Sequence, residues 1–172
     1  PKSGYKPELS YQYPLEMCAL SQLRYELNVE ETFNLNNYST IVLTQDANDD
    51  KEFEEYSRWV KNGGRLIVLN TVHHDKFAEL MSIKSGNVTV VNGVENNRTS
   101  VAIPEINVNV THSNDVDVLG VYTKDGHSVS AFVLQKTVGD GEIIYVEVAP
   151  YFFALQNADE NSRRHLFMSM RS

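Results

Sequence analysis

The stretch Tyr38–Asn70, YSTIVLTQDANDDKEFEEYSRWVKNGGRLIVLN, decides how this chain is read. An apolar run, Ile41-Val42-Leu43, ends in the polar residues Thr44, Gln45 and Asp46. Phe53, Tyr56, Trp59 and Val60 then recur at helical spacing. Asp46, Asn48, Asp49, Asp50 and Glu52 gather near the start of that helix and Arg58, Lys61 and Arg65 near its end, the polarity a helix dipole favours. Gly63 and Gly64 stop it, and Leu66 to Leu69 form a second buried run. Two apolar runs joined by one amphipathic helix make a βαβ crossover. That predicts parallel strands and a sheet covered on both faces.

The acidic start of the helix has a second reading. Asp46, Asn48 and Asp50 match the first three ligand positions of a calcium loop, but Lys51 stands where the sharp turn needs Gly and Ser57 where the bidentate Glu belongs. Helix capping explains the cluster, and no metal site is assigned. After Asn70 the chain reads Thr71-Val72-His73-His74-Asp75, then a helix through Phe77, Leu80 and Met81. Ligands of open parallel sheets sit beyond the carboxyl ends of the strands, so Gln45, Asp46, Asn70, Thr71, His73 and His74 are the candidate crevice residues. Adjacent histidines point apart and no distant partner completes a metal set, so exposed side chains and helix capping account for His73 and His74 as well.

Working outward, Pro1 to Pro14 reads as an extended arm that packs by its tyrosines. Leu15, Ala19, Leu20, Leu23 and Leu27 share one helical face, with Cys18 beside it, and Val29 to Phe33 is a short strand candidate. Cys18 is read as a small buried side chain, since no helix N-terminus or adjacent base is in view to activate it. Beyond Gly86 the texture is β-rich. Val88 to Val91, Thr99 to Ile103 and Ile106 to Thr111 are short runs, and the last alternates apolar with polar residues. Val116 to Thr123 and Ser128 to Gln135 flank the hairpin signal Asp125-Gly126, and Gly139-Asp140-Gly141 leads into Ile143 to Val148. Helices are expected from Pro150 to the end.

The expected fold is thus α/β: a three-layer sandwich with a mainly parallel central sheet, plus an antiparallel β-rich C-terminal half as a hairpin extension. Residues 1–172 are read as a single domain, with an arm at 1–14, the βαβ core at 15–84, the β-rich part at 85–149 and C-terminal helices at 150–172. A start at Pro1 and an end inside a helical pattern suggest a piece of a larger protein.

Composition limits the function classes. The 172 residues carry a formal net charge of −8, which argues against a nucleic-acid backbone or an anionic membrane as partner. No stretch approaches the roughly 20 apolar residues of a membrane span. Cys18 is the only cysteine, so neither an internal disulfide nor a multi-thiolate zinc site can form. Four Asn-x-Ser/Thr sequons begin at Asn37, Asn87, Asn97 and Asn109. They are read either as coincidence in an Asn-rich chain or as the acceptor sites of an extracytoplasmic glycoprotein.

Three segments carry a family resemblance: YSTIVLTQD, EYSRWVKNGGRLIVLN, and VLGVYTKDGHSVSAFVLQKTVGDGEIIYVEVAPYF. Together they resemble the class I glutamine amidotransferase-like (flavodoxin-like) fold, in the non-catalytic branch of beta-galactosidase trimerisation domains and prokaryotic surface-protein domains. The match runs from about Leu15 to Leu155 and rests on the W-V-x-N-G-G-R-L join and the G-x-G-x-I-x-Y-V strand. Gly-Asp-Gly-Glu there is not a phosphate loop, because a strand and not a helix follows it. Catalytic members carry a nucleophilic Cys on a sharp turn after a central strand. Here that turn reads Asn70-Thr71-Val72, Cys18 lies elsewhere, and no G-x-C-x-G or G-x-S-x-G elbow occurs. The family also begins with a central strand before its first helix, and Pro1 to Pro14 does not read as one.

The expectation is therefore a non-enzymatic structural or interaction domain of a secreted or cell-surface protein, with no catalytic residues and no cofactor. Its partners are another protein, flanking domains of the same polypeptide, or carbohydrate. The competing expectation is a hydrolase or a small-molecule or metal-binding domain that uses the crevice, in a cytoplasmic or an exported protein.

Overall fold

A computed structural model describes residues 34–43, 50–70 and 76–147, together with Asp159 and Asn161. A 3-10 turn, Leu35–Asn37, leads into β1 (Thr40–Leu43), α1 (Asp50–Lys61), β2 (Arg65–Asn70) and α2 (Lys76–Leu80). Five strands follow: β3 (Lys84–Asn96), β4 (Ser100–Thr111), β5 (Asp117–Lys124), β6 (His127–Val138) and β7 (Gly141–Glu147). They form one sheet in the order β1-β2-β7-β6-β5-β3-β4. Pro1–Phe33, with the arm, the helix of Cys18 and the Val29–Phe33 strand, and the C-terminal helices lie outside the described residues.

The crossover forms as its hydrophobic periods require. β1 and β2 pair parallel with Ile41 opposite Leu66, and β7 joins the other side of β2, also parallel, with Ile143 opposite Leu66. The helix ends where a left-handed residue is available: Gly63 has φ +102, and its amide donates to the Val60 carbonyl at 2.9 Å. The Gly64 amide donates to the Trp59 carbonyl at 3.2 Å, so two otherwise orphaned helix carbonyls are satisfied as the chain turns into β2.

The expected three-layer sandwich with a mainly parallel sheet is overturned. Only β1–β2 and β2–β7 pair parallel, whereas β7–β6, β6–β5, β5–β3 and β3–β4 are all antiparallel. Strand dominates, with two α-helices among the described residues. The physical reason lies in the connections. A parallel crossover needs a dozen or more residues, but the turns β3–β4, β5–β6 and β6–β7 are short enough that they can only return the chain antiparallel, and β5, which follows β4, pairs antiparallel on the other side of β3. At the β5–β6 turn Asp125 and Gly126 both have positive φ, 51° and 81°, the geometry of a two-residue hairpin loop. Asn92 braces it from β3: its Nδ2 donates to Asp125 Oδ1 at 2.9 Å, and its Oδ1 accepts from the Asp125 amide at 3.0 Å.

The two β-prone runs on either side of Pro104 are one strand, β4, and its register against β3 shifts between Val91 and Gly93. Proline has no amide to donate, and an edge strand with a bulge tolerates that loss. The two faces of the sheet are covered differently. On the first, Leu66, Val68, Ile143 and Tyr145 meet Tyr56, Trp59 and Val60 of α1 and Phe77 and Ala78 of α2. On the second, Ile67, Leu69, Ile144 and Val146 meet Val91, Val94, Val101, Ile103 and Val108. Among the described residues, the sheet's own antiparallel end supplies that cover. It curls back far enough for β4 to touch β6, from which it is separated by two strands.

Candidate functional site

The carboxyl ends of β2 and β7 lie side by side, with Asn70 in register with Glu147. Glu147 is an acidic residue that follows the apolar run Ile143–Val146 and is only 9% exposed. A carboxylate removed from water needs a donor. Tyr122, from the middle of β5, supplies one: its hydroxyl donates to Glu147 Oε2 at 2.8 Å, and its ring is fully buried. Phe132 of β6 packs against that ring at 5.4 Å between centroids. Gly120 makes this possible, since a β-carbon there would lie 2.7 Å from the Phe132 ring.

Burial, and then the negative charge of Glu147, pushes the Tyr122 hydroxyl well above the ordinary value of 10.0. Tyr122 therefore stays protonated and keeps its proton aimed at Glu147 across the physiological range. The pair can hold two strands together and can fix a carboxylate oxygen in place. A phenol this reluctant to ionise is not a proton shuttle at neutral pH.

Of the crevice residues expected from the sequence, Asn70 is the last residue of β2, with its backbone alone described, and Gln45, Asp46, Thr71, His73 and His74 lie outside the described residues. Tyr122 and Glu147 were missed. The only signal was a charged residue in an apolar run of sequence, IIYVEV, and nothing in it names a tyrosine 25 positions earlier as its partner. Asn37 and Asn97 are exposed in turns and Asn87 is exposed on β3, while the side chain of Asn109 in β4 is outside the description. Among the described residues no group of three or more His, Cys, Asp or Glu side chains could hold a metal ion. No described helix is long and apolar enough to cross a membrane.

The opposite end of the parallel strands is built mainly from backbone, joined by one cluster of side chains in which Arg65 of β2 and Gln135 of β6 both donate to the Glu142 carboxylate of β7. The β6–β7 turn sits against the end of α1: the Asp140 amide donates to the Lys61 carbonyl at 3.0 Å and the Glu142 amide to the Gly64 carbonyl at 3.1 Å. A β-carbon on Gly141 would overlap the Val60 and Gly64 carbonyl oxygens. The two glycine motifs that carry the family resemblance are thus two sides of one joint, Trp59 to Arg65 against Gly139 to Glu142. The Gly63, Gly64, Asp140 and Glu142 amides are each spent on a backbone carbonyl, and the joint's role is mechanical.

No family model matches the chain, and no curated protein matches it by sequence. Solved structures share its fold. A beta-galactosidase from Rahnella sp. R3 superposes with a TM-score of 0.66 at 12% identity, over 97% of this chain and 27% of that one. An exo-beta-1,4-mannosidase from an Opitutaceae bacterium superposes with a TM-score of 0.64 at 14% identity, over 95% of this chain and 31% of that one. The cytoplasmic protein from Salmonella typhimurium gives a TM-score of 0.64 at 12% identity, over 93% of this chain and 85% of that one. The chain spans less than a third of the length of either glycosidase. At these identities the likeness is one of fold.

Proposed function

We propose that this chain is a non-catalytic relative of the class I glutamine amidotransferase-like domains and serves as a structural or interaction domain of a larger secreted or surface protein. It acts in assembly, or in contact with carbohydrate or a protein partner. The observation that carries the reading is one of proportion: 97% of this chain superposes on a segment making up 27% of a beta-galactosidase. A fold that recurs as a minor part of large glycosidases is suited to holding other parts in place. The position where active relatives keep their nucleophile supports it, since Asn70 and Thr71 stand there in this sequence.

Removing residues 1–172 from the polypeptide that contains them, with light scattering before and after, tests the proposal. The expected result is a lower oligomeric state or loss of a bound partner, with any neighbouring activity per active site retained. Unchanged assembly together with lost chemistry would contradict it.

A second reading is favoured by the buried carboxylate at the end of β7. The crevice residues expected from the sequence, Gln45, Asp46, Asn70, Thr71, His73 and His74, are the candidates for a small-molecule site. Replacing His73 and His74 by Ala should then abolish a ligand-induced rise in melting temperature. If no metal, sugar or small metabolite raises the melting temperature of the unaltered chain, this second reading fails.

A further inference from the structure

We propose that Asn97 is the residue this chain offers for N-linked glycosylation, an inference that rests on the extracytoplasmic reading above and singles out one sequon of four. A transferase must draw the acceptor out as a loop, so the backbone around it has to be exposed and not already committed to a ladder. Asn97-Arg98-Thr99 is the tip of the β3–β4 hairpin, and Asn97 and Arg98 are both exposed. The turn is fastened by its neighbour: Asn96 Oδ1 accepts from the Arg98 and Thr99 amides, each at 2.9 Å. The Asn97 amide group is thus not spent on building the turn.

The other sequons are more constrained. At Asn37-Tyr38-Ser39 the Asn37 amide donates to the Asn34 carbonyl at 3.1 Å, and the Ser39 carbonyl accepts from the Arg65 amide at 3.1 Å, which ties the segment to β2. Tyr38 also packs against the helix-side core. Asn87 is exposed in a stretch of β3 that the register shift between Ser85 and Thr89 leaves out of the pairing, but its hydroxyl residue Thr89 is held in the ladder opposite Val108. Asn109-Val110-Thr111 lies in β4, where Val110 and Thr111 pair with Ser85 and Lys84, and the Thr111 hydroxyl donates to the Lys84 carbonyl at 3.3 Å.

An independent feature adjoins Asn97. A groove of about 240 Å³ runs from Glu95 and Asn97 to Val118, Leu119 and Val121. Val118 is 42% exposed and offers an aliphatic floor for the apolar face of the first sugar. In the reaction, Asn97 Nδ2 bonds to the anomeric carbon of a lipid-pyrophosphate-linked oligosaccharide. The bond from that carbon to the pyrophosphate oxygen breaks with its electron pair on the leaving group, and the amide nitrogen loses one proton.

The test is secretion of the full chain from a host carrying an oligosaccharyltransferase. Enzymatic glycan release in heavy-oxygen water, followed by peptide mapping, then reads the occupancy of each sequon. Asn97 should be the most occupied site, and both Asn97→Gln and Thr99→Ala should remove one glycan while the chain is still secreted. If Asn37, Asn87 or Asn109 carries glycan and Asn97 does not, this assignment is overturned while the extracytoplasmic reading stands. If all four are bare, the assignment is likewise overturned.

Discussion

The two ends of the parallel strands are held by different means. At the amino end, α1, β2 and the β6–β7 turn meet chiefly through backbone, with the Lys61 and Gly64 carbonyls accepting from Asp140 and Glu142 and no room for a β-carbon at Gly141, and the Arg65–Glu142 ion pair beside them is only partly buried. At the carboxyl end, the fastening is a side-chain pair, Tyr122 to Glu147. A backbone joint is rigid and indifferent to chemistry. A buried side-chain pair costs desolvation, responds to pH, and can be altered residue by residue. The comparison teaches that the glycine motifs by which this fold is recognised report on architecture, and that any chemistry has to be sought at the other end.

The largest expected effect is at the backbone joint. Gly141→Ala forces a methyl group into the Val60 and Gly64 carbonyls, neither of which is the end of a flexible side chain, and should cost roughly 3 kcal/mol or prevent folding. Urea denaturation measures it, and a loss below about 1 kcal/mol would show the joint to be looser than described. Next comes the side-chain pair. Tyr122→Phe should cost about 1–3 kcal/mol by removing the donor to a buried carboxylate, and Glu147→Gln, which keeps an acceptor oxygen but not the charge, should cost less. The double variant should lose less than the sum of the two, whereas strict additivity would mean the two residues act separately.

The carboxyl-end pair also has a pH signature. Burial is the main cause at Tyr56, pushed up to about 12, and at Tyr122, also raised well above 10.0, so both phenols hold their protons more tightly folded than unfolded. Their contribution is complete below the unfolded value of about 10 and is lost as pH rises through the folded values. Thermal melts between neutral and strongly alkaline pH should therefore show stability falling above about 10, with a shallower fall in Tyr122→Phe. A fall of equal steepness in that variant would remove Tyr122 from the explanation.

Much of the fold was legible because its signals are local. The crossover follows from apolar runs at Ile41–Leu43 and Leu66–Leu69 around a helix of period 3.6, and the Asp125-Gly126 hairpin from two residues that accept positive φ. The proportion of parallel to antiparallel pairing was misjudged, since one well-marked crossover was extended to the whole sheet. What decides it is the brevity of the three hairpin turns, 97–99, 125–126 and 139–140, and that could have been counted. β4 was broken in two at Pro104 because an edge position is not visible in a sequence. Tyr122 and Glu147 could not be paired in advance, because β5 and β7 become partners in this contact only through β6 lying between them. Cys18, His73 and His74 fall outside the described residues, so the expected crevice is represented by Asn70 alone.

Smaller effects sharpen the contrast. Gly126→Ala places a β-carbon at φ 81° and should cost about 1–2 kcal/mol, without touching either end of the parallel strands. Asp115→Asn should change stability within error. Its carboxyl is held below the ordinary range by the hydrogen bond from Lys136, but Asp115 is solvent-exposed, and such pairs contribute little. A large loss at Asp115, measured by the same urea titration, would mean that a surface pair outweighs the buried one.

The most direct measurement for the central claim is turnover by the purified chain. Ammonia release from glutamine and nitrophenol release from a nitrophenyl beta-galactoside should both stay at the buffer rate, and Cys18→Ala and Glu147→Gln should leave that rate unchanged. Release above the buffer rate that either substitution abolishes would contradict a non-catalytic role.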